Sequence, residues 1–133
     1  MKRKIYVPIM LSNISFENRQ EYVTKFHKIG ADFVFIAIDR YDIYSTNFEY
    51  RKNTADNLKQ HLKFFADQGF ETGVWISVLG YGGKLPPKEN QRIQNMTKIK
   101  SITGKVVDDA LCPEDPEFLE MYCAYVKEIA NTG

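Results

Sequence analysis

The chain has 133 residues, the size of one domain, with 18 basic and 17 acidic residues and a formal net charge of +1. Hydrophobic residues make up 44% of it and aromatic residues 14%, which is enough for a core and too much for a disordered segment. This balanced charge lacks the basic field that phosphate backbones require, so we expect no nucleic-acid partner. No apolar run is long enough to span a bilayer, so we expect no membrane partner.

Three apolar segments of strand length alternate with segments of helical periodicity. The first helix is predicted over residues 16–29, where Val23 and Phe26 lie on one stripe and Gly30 supplies the left-handed C-terminal turn. Such alternation predicts a parallel sheet with helical crossovers. The predicted strands span residues 4–11, 32–39 and 72–79.

The second and third helices have recognisable starts. Asn53 or Thr54 can cap the second helix after a polar, aromatic loop over residues 40–52, and Gly69 ends it. Asp115 is the expected N-cap of the third helix, with Pro116 at its first position. The predicted buried stripes are Leu58, Leu62 and Phe65 on the second helix, and Leu119, Tyr122, Val126 and Ile129 on the third.

A long irregular stretch over residues 80–112 separates the third strand from the third helix. A connection of that length is usually functional rather than a simple βα turn. Within it, residues 98–107 alternate between polar and apolar around a turn at Thr103 and Gly104, which predicts a small β-hairpin.

The two faces of the predicted strands differ in composition. One face is almost purely β-branched, as expected of a surface covered by helices: Ile5, Val7, Ile9, Val34, Ile36, Ile38, Val74, Ile76 and Val78. The other is mixed in size and more polar toward the strand ends, as in a barrel interior: Tyr6, Pro8, Met10, Phe33, Phe35, Ala37, Asp39, Trp75, Ser77 and Leu79. We therefore favour part of a (β/α)8 barrel, with strand order 1-2-3, over an open doubly wound sheet.

In such barrels the functional residues follow the carboxyl ends of the strands. Asp39 ends the second strand on the inner face, where a carboxylate can hold sugar hydroxyls, a metal or a cation, or can simply pair with Arg40. Trp75 is predicted to pack in the core, although as an inward residue it could also floor a sugar pocket. His27 and His61 fall on helices, away from the strand ends, and no catalytic triad, metal-ligand motif or cofactor motif occurs.

The segment from Thr103 to Val107, followed by Ala110 to Phe118 and an amphipathic helix, resembles the region between strand three and helix three of glycoside-hydrolase-like TIM barrels. Residues 30–34 and 73–77 resemble the second and third strands of the same group. The resemblance implies a single partial barrel over residues 1–133 that stops before strand four. It also implies sugar contacts, by position at the rim, from Asp39, Arg40, Trp75, Tyr81 and Cys112.

That resemblance further implies hydrolysis of a glycosidic bond by two carboxylates that flank it. The pair typically sits on later strands, so we expect the catalytic residues beyond residue 133 and an inactive fragment that contributes one wall of a carbohydrate site. The alternative is a non-catalytic α/β module that self-associates or binds a small ligand at the strand ends. A flavodoxin-like domain is a third possibility, disfavoured because no phosphate loop follows the first strand. The expected partners are a carbohydrate and either a second copy or the remainder of the same barrel.

Overall fold

The structure is a computed structural model that describes residues 3–38, 47–76 and 91–131. Its main sheet has three parallel strands in the order β1-β2-β3, and its smaller sheet is an antiparallel pair, β4 and β5. The strands are β1 Tyr6–Met10, β2 Phe33–Ile38, β3 Glu71–Ile76, β4 Lys98–Lys100 and β5 Val106–Leu111. The prediction of a mixed α/β chain with a parallel sheet is confirmed.

Helices alternate with these strands. They are α1 Arg19–Ile29, α2 Phe48–Asp67, the short α3 Gln91–Asn95 and α4 Pro116–Ala130, with a 3₁₀ turn at Leu11–Asn13 after β1. Glycine ends α1 as expected, since Gly30 has the left-handed backbone (φ 72°) that other residues rarely adopt.

One core joins the main sheet to its helices. Val34, Ile36 and Ile38 of β2 are buried in it, on the β-branched face that the sequence assigned to helix contact. The helices supply the rest of the cluster, chiefly Val23, Phe26, Leu58, Phe65, Phe118, Tyr125 and Ile129. The structure therefore places its helical layer against one face of the sheet.

Two helix starts differ from the prediction. Helix α2 begins at Phe48, six residues before Thr54, because the side chain of Asn47 accepts a hydrogen bond from the Tyr50 backbone N–H. Helix α1 begins only at Arg19, since Ser15 and Asn18 exchange side chain–backbone hydrogen bonds of 2.8 and 3.2 Å that form a turn first.

The buried stripe of α4 also differs from the prediction, at two of its four positions. Phe118 is 1% exposed whereas Leu119 is 44% exposed, and Tyr125 is buried in place of the half-buried Val126. Phe118 stacks on Tyr122 with ring centroids 5.7 Å apart. The observed stripe follows helical spacing as closely as the predicted one does. Periodicity alone therefore did not distinguish the two stripes, of which the observed one is Phe118, Tyr122, Tyr125 and Ile129.

The predicted hairpin is confirmed, and it is tied to α4 by Asp115. The carboxylate of Asp115 accepts backbone hydrogen bonds from Thr97 (2.8 Å), Glu117 (2.9 Å) and Phe118 (3.1 Å). These donors, with the Thr97 amide foremost, lower the pKa of Asp115 to about 2. One side chain therefore caps α4 and holds the start of β4 beside it.

A buried histidine lies in the middle of α2. His61 is 2% exposed, its ring stacks on Phe16 at 5.1 Å, and its Nδ1 has no hydrogen-bond partner among the described residues. Burial, with a smaller contribution from the nearby Arg19 guanidinium, lowers the pKa of His61 below its ordinary value of 6.5. At neutral pH the folded chain therefore holds this imidazole uncharged.

We expect this histidine to make stability depend on pH. Because its pKa is lower in the folded state, the unfolded state binds more protons, so the free energy of unfolding falls as pH drops below about 6.5. The slope from one group cannot exceed about 1.4 kcal/mol per pH unit. Denaturant unfolding at several pH values above about 5 measures it. His61→Gln should remove the slope and His27→Gln, on the exposed surface, should keep it; an unchanged slope in His61→Gln would contradict this assignment.

Candidate functional site

The candidate site is the face of the main sheet opposite the helices, which we call the open face. Parallel register arranges it in three rows across the strands. From the amino to the carboxyl ends of the strands these rows are Tyr6–Phe33–Glu71, Pro8–Phe35–Gly73 and Met10–Ala37–Trp75. Among the described residues, the core cluster contains none of these nine residues.

An aromatic cluster occupies the first two rows of the open face. The rings of Phe33 and Phe35 lie 4.4 Å apart, and Tyr6 lies 5.4 and 5.9 Å from them. A Cβ at Gly73 would meet Phe33 atoms at 3.0 Å and Phe35 at 3.2 Å, so the absent side chain leaves room for both rings. The cluster is therefore a packed surface rather than three independent side chains.

The carboxyl end of the open face is a concave aromatic shelf. Trp75 is 57% exposed beside the buried Ala37, its neighbour in register. A concavity of about 580 Å³ lies against it, lined by Pro8, Phe35, Val74, Trp75 and Ile76. Ligands of parallel α/β folds bind at this end of the strands, and an exposed indole there offers a flat apolar surface with one N–H donor.

The amino end of the open face carries an ion pair instead. Lys4 donates a hydrogen bond to Glu71, and the pairing raises the pKa of Lys4 above its ordinary value. Beside them the Asp32 carboxylate accepts the Ile5 backbone N–H at 2.9 Å, which fixes the start of β1 against β2. These charged groups pair with one another and with the backbone at the amino end of the sheet. Glu71 begins β3, whereas Trp75 lies near its carboxyl end.

The predicted site residues are distributed unevenly. Trp75 lies on the sheet face opposite the β-branched one, as strand alternation predicted, but the expectation that it packs in the core is wrong, because no described residue covers it. Cys112 follows β5, where it is half-buried and donates its N–H to the Thr97 carbonyl at 2.8 Å. Asp39, Arg40 and Tyr81 lie outside the described residues.

Sequence reasoning placed the aromatic cluster on the right face but did not count Tyr6, Pro8 and Phe35 among the site residues. Strand alternation could have identified them, since side chains alternate between the faces of a strand and the parallel register places all three on the same face of the sheet as Trp75. Phe48 and Tyr50, expected in the loop over residues 40–52, instead lie in the first turn of α2.

A second concavity of about 530 Å³ lies on the helical side of β3, between α2 and α4. Its lining includes Leu62, Val74 and Val126, with Lys59 and Lys63 beside them. It is a groove beside the edge of the sheet and shares only Val74 and Ile76 with the concavity at Trp75.

Within the three described ranges, no group of three or more His, Cys, Asp or Glu side chains could hold a metal ion. The described helices include none that combines the length and apolarity needed to cross a membrane.

Comparison with known proteins gave no match to a protein-family model, to a curated protein or to a solved structure.

Proposed function

We propose that this chain is the first part of a (β/α)8 barrel of the glycoside-hydrolase kind, in which the open face is a section of the barrel interior. The observation that carries the proposal is the exposed Trp75 at the carboxyl end of β3, beside a concavity of about 580 Å³. Barrels bind their substrates at this end of the strands. On this proposal the chain supplies one wall of a carbohydrate site.

The composition of the shelf favours a sugar over a charged ligand. A pyranose ring has an apolar face of C–H groups that packs on an aromatic ring, while its hydroxyl groups stay hydrogen-bonded at the edges. The described residues that line the concavity carry no ionisable side chain, and the indole N–H can donate a hydrogen bond to a sugar hydroxyl. Sequence resemblance to glycoside-hydrolase-like barrels points to the same class of ligand.

The chain is not expected to hydrolyse a glycoside by itself. Hydrolysis needs two carboxyl groups on opposite sides of the scissile bond, about 5–10 Å apart. On the open face the described residues offer one carboxylate, Glu71, which is paired with Lys4 at the wrong end of the strands. The proposed role here is binding, with the catalytic pair supplied by later strands.

Calorimetric titration of the folded chain with galactosides, glucosides and mannosides tests the proposal. We expect weak binding of at least one of them, lost in Trp75→Ala and partly kept in Trp75→Phe, which preserves a flat ring. Leu119→Ala, an exposed change on α4, is the control and should bind as the native chain does. No heat of binding with any of the three sugars, from a chain shown to be folded, would contradict the proposed role.

A further inference from the structure

The helical layer covers the main sheet unevenly. On β2 the side chains that face the helices are buried almost completely, and Val34 and Ile36 are 0% exposed. Their partners in register on β3, Thr72 and Val74, are only half-buried, as is Ile76 at the end of that strand. The outer face of β3 is therefore the floor of the concavity of about 530 Å³ between α2 and α4, which we call the helical groove.

Apolar side chains from three elements line the helical groove. Leu62 and Ala66 of α2 form one wall, and Val126 and Ile129 of α4 form the other, on either side of Val74. Small-molecule sites have volumes in this range and are mostly apolar, with a few polar groups that orient the ligand. The groove therefore has both the size and the lining of such a site.

The charges at the helical groove all have one sign. Of the described residues that line it, only Lys59 and Lys63 are charged, and they lie about one turn apart on α2. Lys63 donates hydrogen bonds of 2.8 and 3.0 Å to Asp67, whereas Lys59 has no carboxylate partner among the described residues. An ammonium group at the rim of an apolar groove suits a ligand that joins an anionic group to a hydrocarbon.

The direction of α2 places Lys59 toward one end of the helical groove. Only residues 68–70 separate α2 from β3, so the two elements are antiparallel, and Lys59 lies toward the carboxyl end of β3 while Ala66 lies toward its start. The floor from Thr72 to Ile76 is about 13 Å long, at roughly 3.3 Å per residue. An extended hydrocarbon of about ten carbons has the same length, given carbon–carbon bonds of about 1.5 Å.

We propose that the helical groove binds a soluble amphipathic carboxylate with a single aliphatic chain of about ten carbons. The chain lies along the outer face of β3, between α2 and α4, and the carboxylate pairs with the ammonium group of Lys59. The proposal does not depend on the carbohydrate role, because the helical groove and the side chain of Trp75 lie on opposite faces of the sheet.

NMR titration of the folded chain with decanoate, kept below its micelle concentration, tests the proposal. We expect saturable shifts of the amides of Leu62 and Val126, while the indole N–H of Trp75 on the opposite face stays in place. Decyltrimethylammonium carries the same chain with the opposite charge and should bind about tenfold more weakly, because attraction to Lys59 becomes repulsion. Equal affinity for the two amphiphiles, shifts centred on the Trp75 indole, or no saturable shift with decanoate would overturn the proposal.

Two substitutions separate the contributions of charge and shape. Lys59→Gln removes the ammonium group and should weaken decanoate binding about fivefold without weakening that of decyltrimethylammonium. Lys25→Gln makes the same change on the exposed surface of α1, outside the groove lining, and should bind decanoate as the native chain does.

Ala66→Phe tests the shape of the groove. It places a ring in the groove from an exposed position on α2, so it should abolish the binding of both amphiphiles while circular dichroism shows the native fold. Native affinity for decanoate in folded Lys59→Gln or in folded Ala66→Phe would place the binding elsewhere and contradict the proposal.

Discussion

Replacing Phe118 by alanine is expected to lower the free energy of unfolding by about 3–5 kcal/mol. Its ring is 1% exposed, belongs to the core cluster and stacks on Tyr122 of the same helix. Truncation removes that contact and leaves a cavity at the start of α4, next to the Asp115 cap. A loss of this size is a large share of the roughly 5–15 kcal/mol that holds a domain of this kind together. Denaturant unfolding followed by circular dichroism measures the loss.

The neighbouring residue is the matched control. Leu119→Ala should cost less than about 1 kcal/mol, because that side chain is 44% exposed although the sequence pattern assigned it to the buried stripe. The pair of variants tests the rotation of α4 about its axis. If Leu119→Ala costs more than Phe118→Ala, then α4 presents the face predicted from periodicity, and the packing described here is wrong.

Phe65→Ala is expected to be equally destabilising, by about 3–5 kcal/mol. Phe65 is fully buried at the end of α2 and lies 5.5–6.2 Å, between ring centroids, from Phe26, Phe64 and Phe70. It therefore links α1, α2 and the turn that enters β3. Losing it should loosen the helical layer where that layer meets the sheet.

Trp75→Ala provides the contrast on the opposite face of the sheet. Although it removes the larger side chain, it should cost less than about 1 kcal/mol in a monomeric sample, because more than half of that side chain is already exposed. Thermal or denaturant unfolding of both variants at low concentration compares them directly. A loss in Trp75→Ala as large as that in Phe65→Ala would mean that Trp75 is buried and that the open face is covered.

Strand alternation predicted much of this fold correctly. The β-branched residues that alternate along β2 are Val34, Ile36 and Ile38. They form its buried face, because a helical layer needs a smooth apolar surface to pack on. The order of strands and helices, Gly30 as a helix end and Asp115 as a cap also followed from local chemistry. These features depend on neighbours in sequence, which is why one chain sufficed to predict them.

The misplaced features depend on choices that local patterns leave open. Three residues near the start of α2 can cap a helix: Asn47, Asn53 and Thr54. The cap in the structure is Asn47, whose side chain accepts a hydrogen bond from the Tyr50 N–H. Similarly, Phe118 and Leu119 both fit an amphipathic α4, and tertiary packing selects the aromatic residue.

The candidate site was predicted less completely than the fold. Trp75 was expected in the core because tryptophan is usually buried, and its exposure follows from which face the helices occupy. The shelf beside it depends on register, since Pro8 and Phe35 are distant from Trp75 in sequence and meet it only through strand pairing. That Asp39, Arg40, Tyr81 and Cys112 contact the sugar remains a prediction.

The most direct test of the carbohydrate role is an NMR titration of the folded chain with galactoside, glucoside and mannoside. The single indole N–H resonance belongs to Trp75 and marks the open face, while the amides of Leu62 and Val126 mark the groove on the helical side. We predict that a sugar shifts the Trp75 indole resonance and the amides of Phe35 and Ile76, and leaves those of Leu62 and Val126 unchanged. Shifts confined to the helical groove, or no shifts with any of the sugars, would contradict it.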